Sequence, residues 1–273
     1  MSNDFIAKFN KLRNLIKEKA VGYESLVIMF SGGLDSTLLS IIAQEELGDK
    51  ALAVFIDDET VPSYIKRRIE DIVQRYRINL KIIPFSALSN DNFVKNDLLR
   101  CYYCKLSRGS LLKKVFPNSL IADGTNTDDL RDYRPGLRAS KELGIWHPYV
   151  EAGISKNDIR AYARYIELPI WDAPSESCLA TRVAYNIKLT KDLLEKIDRA
   201  EEFLRRLGFR VVRARVFSNN LLKIEVGNDE VDRLLSNEIR TQVVKYMKEL
   251  GFAHITLDLE GYVSGKMNKG ITT

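Results

Sequence analysis

From residue 25 onward, short apolar runs alternate with amphipathic stretches of helical length. This rhythm indicates a parallel sheet, because neighbouring parallel strands must be joined by a crossover, which is usually a helix. Four apolar runs are predicted as strands: residues 25–30, 51–56, 79–85 and 119–122. The sequence therefore predicts an α/β fold built on a doubly wound, Rossmann-like parallel sheet. Ser155, with Asp158 three residues later, predicts a helix start and with it one further βα unit before Trp171.

The pattern changes after about residue 187, where a long amphipathic helix is predicted to begin at Thr190 and to end at Gly208. Beyond it we expect strands and one helix: strands at 211–217, 221–226 and 255–259, and the helix at 230–250. The sequence therefore predicts two domains, a large one at residues 1–186 and a smaller α/β domain at 187–273.

Composition limits the classes of protein to consider. Of the 273 residues, 45% are hydrophobic and 29% are charged, as in soluble globular proteins. No apolar run approaches the ~20 residues that a transmembrane helix needs, and the first 20 residues are charged and amphipathic, unlike a signal peptide. We therefore expect a cytoplasmic protein that does not enter a membrane. The net charge of +5 favours anionic ligands but falls short of a dedicated nucleic-acid-binding surface.

The most informative motif is Ser-Gly-Gly-Leu-Asp-Ser at residues 31–36, between the first predicted strand and a predicted helix at 37–47. At such a position the backbone N–H groups and the helix dipole can hold phosphate. The two glycines let the backbone approach an anion, and the serines add hydroxyl donors. Because the loop lacks the Gly-Lys-Ser/Thr ending of a Walker A loop, we expect a different mode of phosphate binding.

A second loop, Asp-Gly-Thr-Asn-Thr-Asp-Asp at residues 123–129, follows the strand predicted at 119–122. Open α/β sheets bind ligands at the carboxyl ends of their strands, so this loop is expected to face the same crevice as residues 31–36. Asp128 and Asp129 could help to hold Mg²⁺ against the phosphates, although turn formation by their side chains explains either residue about as well.

The chain has three cysteines, Cys101, Cys104 and Cys178. An odd number argues against a disulfide framework, whereas the spacing of Cys101 and Cys104 is typical of metal ligands. A structural zinc would need a fourth ligand, for which the histidines are His147 and His254. Three thiolates can instead hold a 4Fe-4S cluster with one open iron. A CxxC turn with one unrelated buried cysteine is the remaining alternative.

Residues 31–36 resemble the PP-loop signature of the adenine nucleotide alpha hydrolase superfamily, whose loop binds the pyrophosphate part of ATP. With its other motifs, the chain is similar to the LarE family, which makes the sulfur donor groups of the nickel-pincer nucleotide cofactor. The similarity spans most of the chain and rests on four motifs: residues 31–36, 123–126 continuing into 132–136, 171–182 and 257–262.

The resemblance implies an ATP-dependent sulfurtransferase. ATP would adenylylate a carboxylate of pyridinium-3,5-biscarboxylic acid mononucleotide, with release of pyrophosphate, and sulfur would replace the oxygen that carries AMP. A carboxylate oxygen leaves poorly until AMP is attached, so ATP activation and a sulfur nucleophile are both required. The expected cofactors are ATP, Mg²⁺ and a 4Fe-4S cluster. The expected partners are the small nucleotide acceptor and sulfide or a sulfur-donor protein, and we expect a homo-oligomer.

One branch of the family gives up the sulfur of a lone cysteine that matches Cys178. This chain adds Cys101 and Cys104 and therefore resembles the cluster-bearing branch. The resemblance makes Cys178 and Asp35 the expected catalytic residues. It also gives the predicted nucleotide-binding residues: Ser31, Gly32, Gly33, Asp35, Ser36, Gly124, Thr125, Asn126 and Asp128.

Five arginines lie within eleven residues that contain no acid: Arg205, Arg206, Arg210, Arg213 and Arg215. Such a run can meet a substrate phosphate by charge-assisted hydrogen bonds. Arg213 and Arg215 match the substrate-phosphate positions of the LarE family, and Arg182 is grouped with them as substrate-binding. Glu225 and Asp232 match acidic metal-binding positions of the family. A solvated charged face is the alternative for all of these residues.

A PP-loop enzyme that thiolates tRNA is the main alternative, because it would use similar chemistry on a different acceptor. Against it, residues 187–273 carry 16 basic and 13 acidic side chains, a net charge of +3, and no paired CxxC ribbon. An iron–sulfur carrier would not need an ATP-activating loop. An amide-forming PP-loop ligase would have no use for the three cysteines.

Overall fold

The computed structural model describes residues 4–131, 134–174, 176–263 and 265–266. The chain divides into two compact units. The first is drawn from Met1–Asp58, Ile65–Ala87 and Leu99–Ala173, and the second from Glu59–Tyr64, Leu88–Leu98 and Pro174–Thr273. The predicted domain boundary after residue 186 stays a prediction.

The regular elements are numbered in chain order. The helices are α1 (Asp4–Lys19), α2 (Leu34–Leu47), α3 (Ser63–Tyr76), α4 (Asp91–Val94), α5 (Arg100–Val115), α6 (Pro135–Glu142), α7 (Pro148–Ala152), α8 (Lys156–Tyr165), α9 (Lys191–Arg206), α10 (Val231–Leu235) and α11 (Asn237–Glu249). The strands are β1 (Leu26–Phe30), β2 (Ala51–Asp57), β3 (Leu80–Pro84), β4 (Leu120–Ala122), β5 (Val212–Phe217), β6 (Leu221–Val226) and β7 (His254–Leu257).

The first unit contains a four-stranded sheet in the order β3-β2-β1-β4. All of its neighbouring strands pair in parallel, and helices flank it, so the predicted fold class is confirmed. The further βα unit predicted before Trp171 is only partly formed. Ser155 does begin α8 with a capping box, but the preceding strand is reduced to one isolated parallel bridge between Ala122 and Trp146.

The core of this unit joins the sheet to α5. Its buried cluster takes apolar side chains from three adjacent strands, from α5 and from the segment before α7: Val27, Val54, Ile56, Ile121, Leu112 and Ile145. Burying each such side chain contributes about 1.5–3 kcal/mol. Because β1 and β4 are anchored in this core, the loops that follow them have fixed starting points.

The strand order creates a switch point beside β1. The chain passes from β1 to β2 and β3 on one side, whereas β4 returns to pair with the other side of β1. Ligands of open α/β sheets bind at the carboxyl ends of the two strands that flank such a point. The loops after β1 and β4 are the two predicted nucleotide-binding loops.

The second unit contains a three-stranded sheet in the order β5-β6-β7, with β5 and β6 antiparallel and β6 and β7 parallel. Thr190 caps α9 as predicted, because its hydroxyl accepts the N–H of Leu193 at 3.2 Å. The single helix predicted at residues 230–250 is wrong. It is divided into α10 and α11 at Ser236, whose backbone is extended (φ −54°, ψ 141°). Among the described residues, no helix is both long and apolar enough to cross a membrane.

Candidate active site

The loop between β1 and α2 is closed by its own serines. The hydroxyl oxygen of Ser36 lies 3.0 Å from that of Ser31 and accepts the N–H of Ser31 at 3.1 Å. It also lies within hydrogen-bonding distance, 3.2 Å, of the carbonyl oxygen of Gly33. Helix α2 begins at Leu34, three residues earlier than predicted, and its N-cap Gly33 supplies no side-chain cap. The first turn of α2 therefore opens on a loop that is ordered by hydroxyl groups.

Gly32 is required by both its backbone and its neighbours. Its φ of +69° lies in the left-handed region, and a Cβ atom there would approach Cγ1 of the buried Ile69 to 2.5 Å. The carbonyl oxygen of Gly32 accepts a hydrogen bond from Arg68 at 2.9 Å. Helix α3 therefore packs against this loop at a distance that only glycine permits.

Gly32→Ala is therefore expected to lower the free energy of unfolding by about 3 kcal/mol. Left-handed strain contributes roughly 1–2 kcal/mol and overpacking roughly 1–3 kcal/mol. Gly22→Ala is the matched control, because Gly22 also has a positive φ, +87°, but a Cβ atom added to it would meet nothing within 4 Å. Gly22→Ala should lower the free energy of unfolding by only about 1–2 kcal/mol, because it introduces left-handed strain without overpacking. Urea denaturation measures both, and equal losses would show that Ile69 yields to the added methyl group.

The loop after β4 packs directly against the loop after β1. A Cβ atom on Gly124 would lie 3.1 Å from the carbonyl carbon and Cβ of Asp35 and from the backbone nitrogen of Ser36. Such spacing is tighter than ordinary packing, so glycine at residue 124 lets the two loops touch. The structure thus brings the two predicted nucleotide-binding loops together within the first unit.

Asp35 lies at the meeting point of these loops. Its carboxylate forms an ion pair with Lys156, at the start of α8. Its carbonyl oxygen accepts the hydroxyl of the fully buried Tyr149 at 3.0 Å. Burial, with a further contribution from the charge of Asp35, holds the pKa of Tyr149 well above its usual value, so this hydroxyl stays a hydrogen-bond donor.

Asp123 opens the second loop as a buried carboxylate with fixed partners. It pairs with Lys105 of α5, and its Oδ1 lies 2.7 Å from Nδ1 of His147. Burial alone would raise the pKa of Asp123, but the charge of Lys105 and the hydrogen bond with His147 outweigh it and hold the pKa well below its usual range. Both partners therefore favour the charged form of this carboxylate.

The remaining side chains of the second loop largely fix its own shape. Asp123 accepts the N–H of Thr125 at 3.0 Å, and Asn126 accepts that of Asp128 at 3.0 Å. Asp129 accepts the N–H of Asn126 at 3.1 Å and pairs with Arg134. Turn formation, the alternative weighed for the acidic residues, thus accounts for Asp129. Its pKa is raised, chiefly by burial.

Asp128 has a different partner. Its Oδ2 accepts the backbone N–H of Lys156 at 2.8 Å. Sequence reasoning missed Lys156, Tyr149, Lys105 and the bond of His147. Only the capping box that begins α8 pointed to this region.

The cysteines occupy two kinds of local structure. Cys101 and Cys104 lie in the first turns of α5, one turn apart, with Cys101 exposed and Cys104 half-buried. Cys178 is half-buried and precedes a short 3-10 turn at Leu179–Arg182 in the second unit. The helix dipole favours negative charge, such as that of a thiolate, at the start of α5.

The predicted substrate-binding arginines are buried, contrary to a solvated charged face. Arg215, 5% exposed, donates to Glu225 at 2.7 Å. Arg182, which is fully buried, donates to Glu201 at 2.7 Å and to the carbonyl oxygen of Ser177 at 3.1 Å. The charge of Glu201 and the hydrogen bond to it raise the pKa of Arg182 despite its burial. These side chains form a buried network of ion pairs in the second unit.

Arg213 is also buried, and its guanidinium group donates to the carbonyl oxygen of Val212 at 2.8 Å. It is 1% exposed, its guanidinium carbon lies 4.8 Å from the ring centre of Tyr262, and its ion-pair distance to Glu176 is 3.7 Å. By contrast, Arg210 of the same run is exposed and pairs with the exposed Asp229. The arginine run therefore has members in two different environments.

The two acidic residues assigned to a possible metal differ in environment. Glu225 is buried on β6, with Oε1 bonded to Arg215 and Oε2 without a partner among the described residues. Asp232 is exposed on α10. Across the described residues, no group of three or more His, Cys, Asp or Glu side chains is arranged to hold a metal ion. In the motifs at 132–136 and 171–182, residues 132, 133 and 175 lie outside the described part of the chain.

Comparison with known proteins adds a second line of evidence. The chain is 35% identical over 272 residues to an uncharacterized protein of Synechocystis sp., a match that covers 97% of this chain and 98% of that protein. It is 33% identical over 254 residues to pyridinium-3,5-bisthiocarboxylic acid mononucleotide synthase of Lactiplantibacillus plantarum, a match that covers 91% of each chain. The chain belongs to the LarE family.

A more distant relative of this LarE family member shares part of its length. A subunit of the glutamine-hydrolyzing GMP synthase of Saccharolobus solfataricus is 25% identical over 209 residues, which are 67% of this chain and 55% of that protein. No protein-family model matches the chain.

Proposed function

We propose that this LarE family member is an ATP-dependent sulfurtransferase of nickel-pincer cofactor biosynthesis. Its acceptor is pyridinium-3,5-biscarboxylic acid mononucleotide, and its products are the thiocarboxylate, AMP and pyrophosphate. The observation that carries the proposal is the contact of the loops after β1 and β4 at the switch point of the sheet, where Gly124 lies against Asp35 and Ser36. Similarity to the L. plantarum synthase supports the acceptor, and similarity to a GMP synthase subunit supports the use of ATP.

The reaction has two displacements. An acceptor carboxylate oxygen attacks the α-phosphorus of ATP, the bond from that phosphorus to the bridging oxygen breaks, and pyrophosphate leaves. A sulfide sulfur then attacks the carboxyl carbon and loses its proton to solvent. AMP departs with the oxygen that came from the acceptor.

The chain's own residues have defined tasks in these steps. Ser31, Ser36 and the first N–H groups of α2 bind phosphate, because hydroxyl and amide donors converge there with the helix dipole. The carboxylate of Asp35 suits Mg²⁺, since it already faces a cation, the ammonium group of Lys156. When bound, Mg²⁺ neutralises phosphate charge. Cys101, Cys104 and Cys178 would hold the 4Fe-4S cluster, whose open iron would make sulfide available. The homo-oligomeric state and the external sulfur donor stay predictions.

The proposal is tested by anaerobic incubation with ATP, Mg²⁺, sulfide and the pyridinium nucleotide, followed by mass spectrometry of the small molecules. We expect the acceptor to gain one sulfur in place of one oxygen, with stoichiometric AMP. Total tRNA replaces the acceptor in a parallel reaction. Thiolated tRNA with an unchanged pyridinium nucleotide would contradict the proposal and favour tRNA thiolation.

Changes in the arginine pair are expected to separate acceptor binding from ATP binding. Arg213→Lys and Arg215→Lys should weaken acceptor binding about tenfold or more, because lysine cannot make the bidentate contacts of a guanidinium group. ATP affinity should change less than about threefold, which corresponds to under about 1 kcal/mol. Alanine at residue 215 would also leave the buried Glu225 without this partner and so disturb folding, which makes lysine the safer change.

Arg210→Ala is the matched control for the arginine pair. It removes a guanidinium group from the same run, but one that is exposed and paired only with the exposed Asp229 among the described ion pairs. Acceptor affinity should be unchanged. The affinities are measured by isothermal titration. Equal losses of affinity for acceptor and ATP in the lysine variants would contradict the assignment of this arginine pair to acceptor binding.

A further inference from the structure

Lys156 connects the two nucleotide-binding loops although it lies outside both loop motifs. Its backbone N–H donates to Asp128 of the second loop at 2.8 Å, and its ammonium group pairs with Asp35 of the first loop. It is the first residue of α8, directly after Ser155, whose hydroxyl and backbone N–H complete a capping box with Asp158. The main chain of Lys156 is therefore fixed, whereas its side chain is long and 27% exposed.

Asp35, the partner of this side chain, also has a proposed second ligand. The proposed function assigns the carboxylate of Asp35 to Mg²⁺ beside the triphosphate. An ammonium group and a divalent cation repel each other at contact distance, so both cannot stay against one carboxylate at little cost. Mg²⁺ held by Asp35 together with ATP would therefore weaken the pairing of Lys156 with this carboxylate.

The ammonium group released from Asp35 stays close to the two loops. The backbone of Lys156 remains bonded to Asp128, so its side chain stays beside the triphosphate, which supplies new negative charge. Lysine binds phosphate as a flexible point charge and does not need the fixed geometry of an arginine fork. A phosphoryl oxygen of ATP is thus the natural second partner.

We propose that Lys156 is a nucleotide-binding residue that exchanges partners: it pairs with Asp35 in the empty protein and with a phosphoryl oxygen of ATP in the loaded one. The inference rests on the proposed function and deepens it. It assigns an ATP contact to α8, outside both loop motifs. It also explains how an acidic residue beside the phosphate site avoids repelling ATP before Mg²⁺ arrives.

The test is equilibrium dialysis with radiolabelled ATP, in EDTA and in Mg²⁺. Lys156→Met should weaken binding about tenfold or more in both buffers, whereas Lys156→Arg should stay within about threefold, because it keeps the charge. Lys8→Met is the matched control, since Lys8 forms a similar half-exposed pair with Asp158 of the same helix, 30% and 15% exposed. Its ATP affinity should equal that of the wild type.

Asp35→Asn is expected to change ATP affinity in EDTA in the opposite direction to Lys156→Met. It releases the ammonium group and removes a negative charge, so in EDTA it should bind ATP about tenfold more tightly than the wild type, and in Mg²⁺ more weakly. The gain in EDTA should disappear in the double variant with Lys156→Met. Wild-type affinity in Lys156→Met, or no gain in Asp35→Asn, would overturn the partner exchange while leaving the proposed function intact. Failure of the wild-type protein to bind ATP in either buffer would overturn both.

Discussion

Replacing Asp35 or Ser36 with alanine is expected to abolish pyrophosphate release, with a loss of at least about 10²–10³-fold, the size seen when one preorganised polar group is removed from a transition-state site. Asp35 lies where the two loops meet, and Ser36 closes the first loop through its bonds to Ser31. Pyrophosphate release with ATP, Mg²⁺ and acceptor measures the effect. The fold should remain intact, because Asp35 is a quarter exposed and the buried Ser36 loses only its hydroxyl group.

Ser40→Ala is the matched control for Ser36→Ala. Ser40 is buried one turn further along α2, and its hydroxyl donates to the carbonyl oxygen of Ser36 at 2.8 Å. Its loss should cost about 1 kcal/mol of stability and leave pyrophosphate release within about threefold. Wild-type turnover in Asp35→Ala and Ser36→Ala would refute the assignment of this loop to ATP. Equal inactivation by Ser40→Ala would show that general damage to α2 explains the loss.

Replacing any one of the three cysteines with alanine is expected to abolish both cluster binding and sulfur transfer, while adenylylation persists. A site with three thiolate ligands has no spare protein ligand, so each change has the same outcome. Anaerobic reconstitution with iron and sulfide, followed by iron analysis, measures cluster binding. Pyrophosphate release and thiocarboxylate formation are then measured on the same samples.

The alternative to the cluster is a sacrificial Cys178, which would react once and become dehydroalanine. Intact-protein mass spectrometry after several turnovers distinguishes the two mechanisms. We expect an unchanged protein mass and more than one product molecule per chain. Dehydroalanine at residue 178, or full activity in Cys101→Ala, would contradict the cluster and restore the sacrificial mechanism.

Local patterns were sufficient to predict the parallel sheet and its first loop. A buried strand, a glycine-containing turn and a helix follow one another within residues 26–47, so each element could be recognised from its own neighbours. The capping boxes and caps at Ser155 and Thr190 were equally local and are confirmed. The break at Ser236 was missed because apolar periodicity continues on both sides of it.

Contacts between distant residues explain what the sequence did not predict. Lys156 and Asp35 are 121 residues apart, and His147 and Asp123 are 24 residues apart, so neither pair leaves a sequence motif. The arginine run, which contains no acid, predicted contacts with a substrate phosphate, with a solvated charged face as the alternative. In the structure Arg213 and Arg215 face Glu176 and Glu225, which come from other segments.

In the proposed reaction, an acceptor oxygen is activated by AMP and then replaced by sulfur. This reaction is tested most directly by following that oxygen. The pyridinium nucleotide is prepared with heavy oxygen in its carboxylates and incubated anaerobically with the protein, ATP, Mg²⁺ and sulfide. We expect one heavy oxygen in the released AMP for each sulfur gained by the acceptor. AMP without the label, or ADP and phosphate as the nucleotide products, would contradict it.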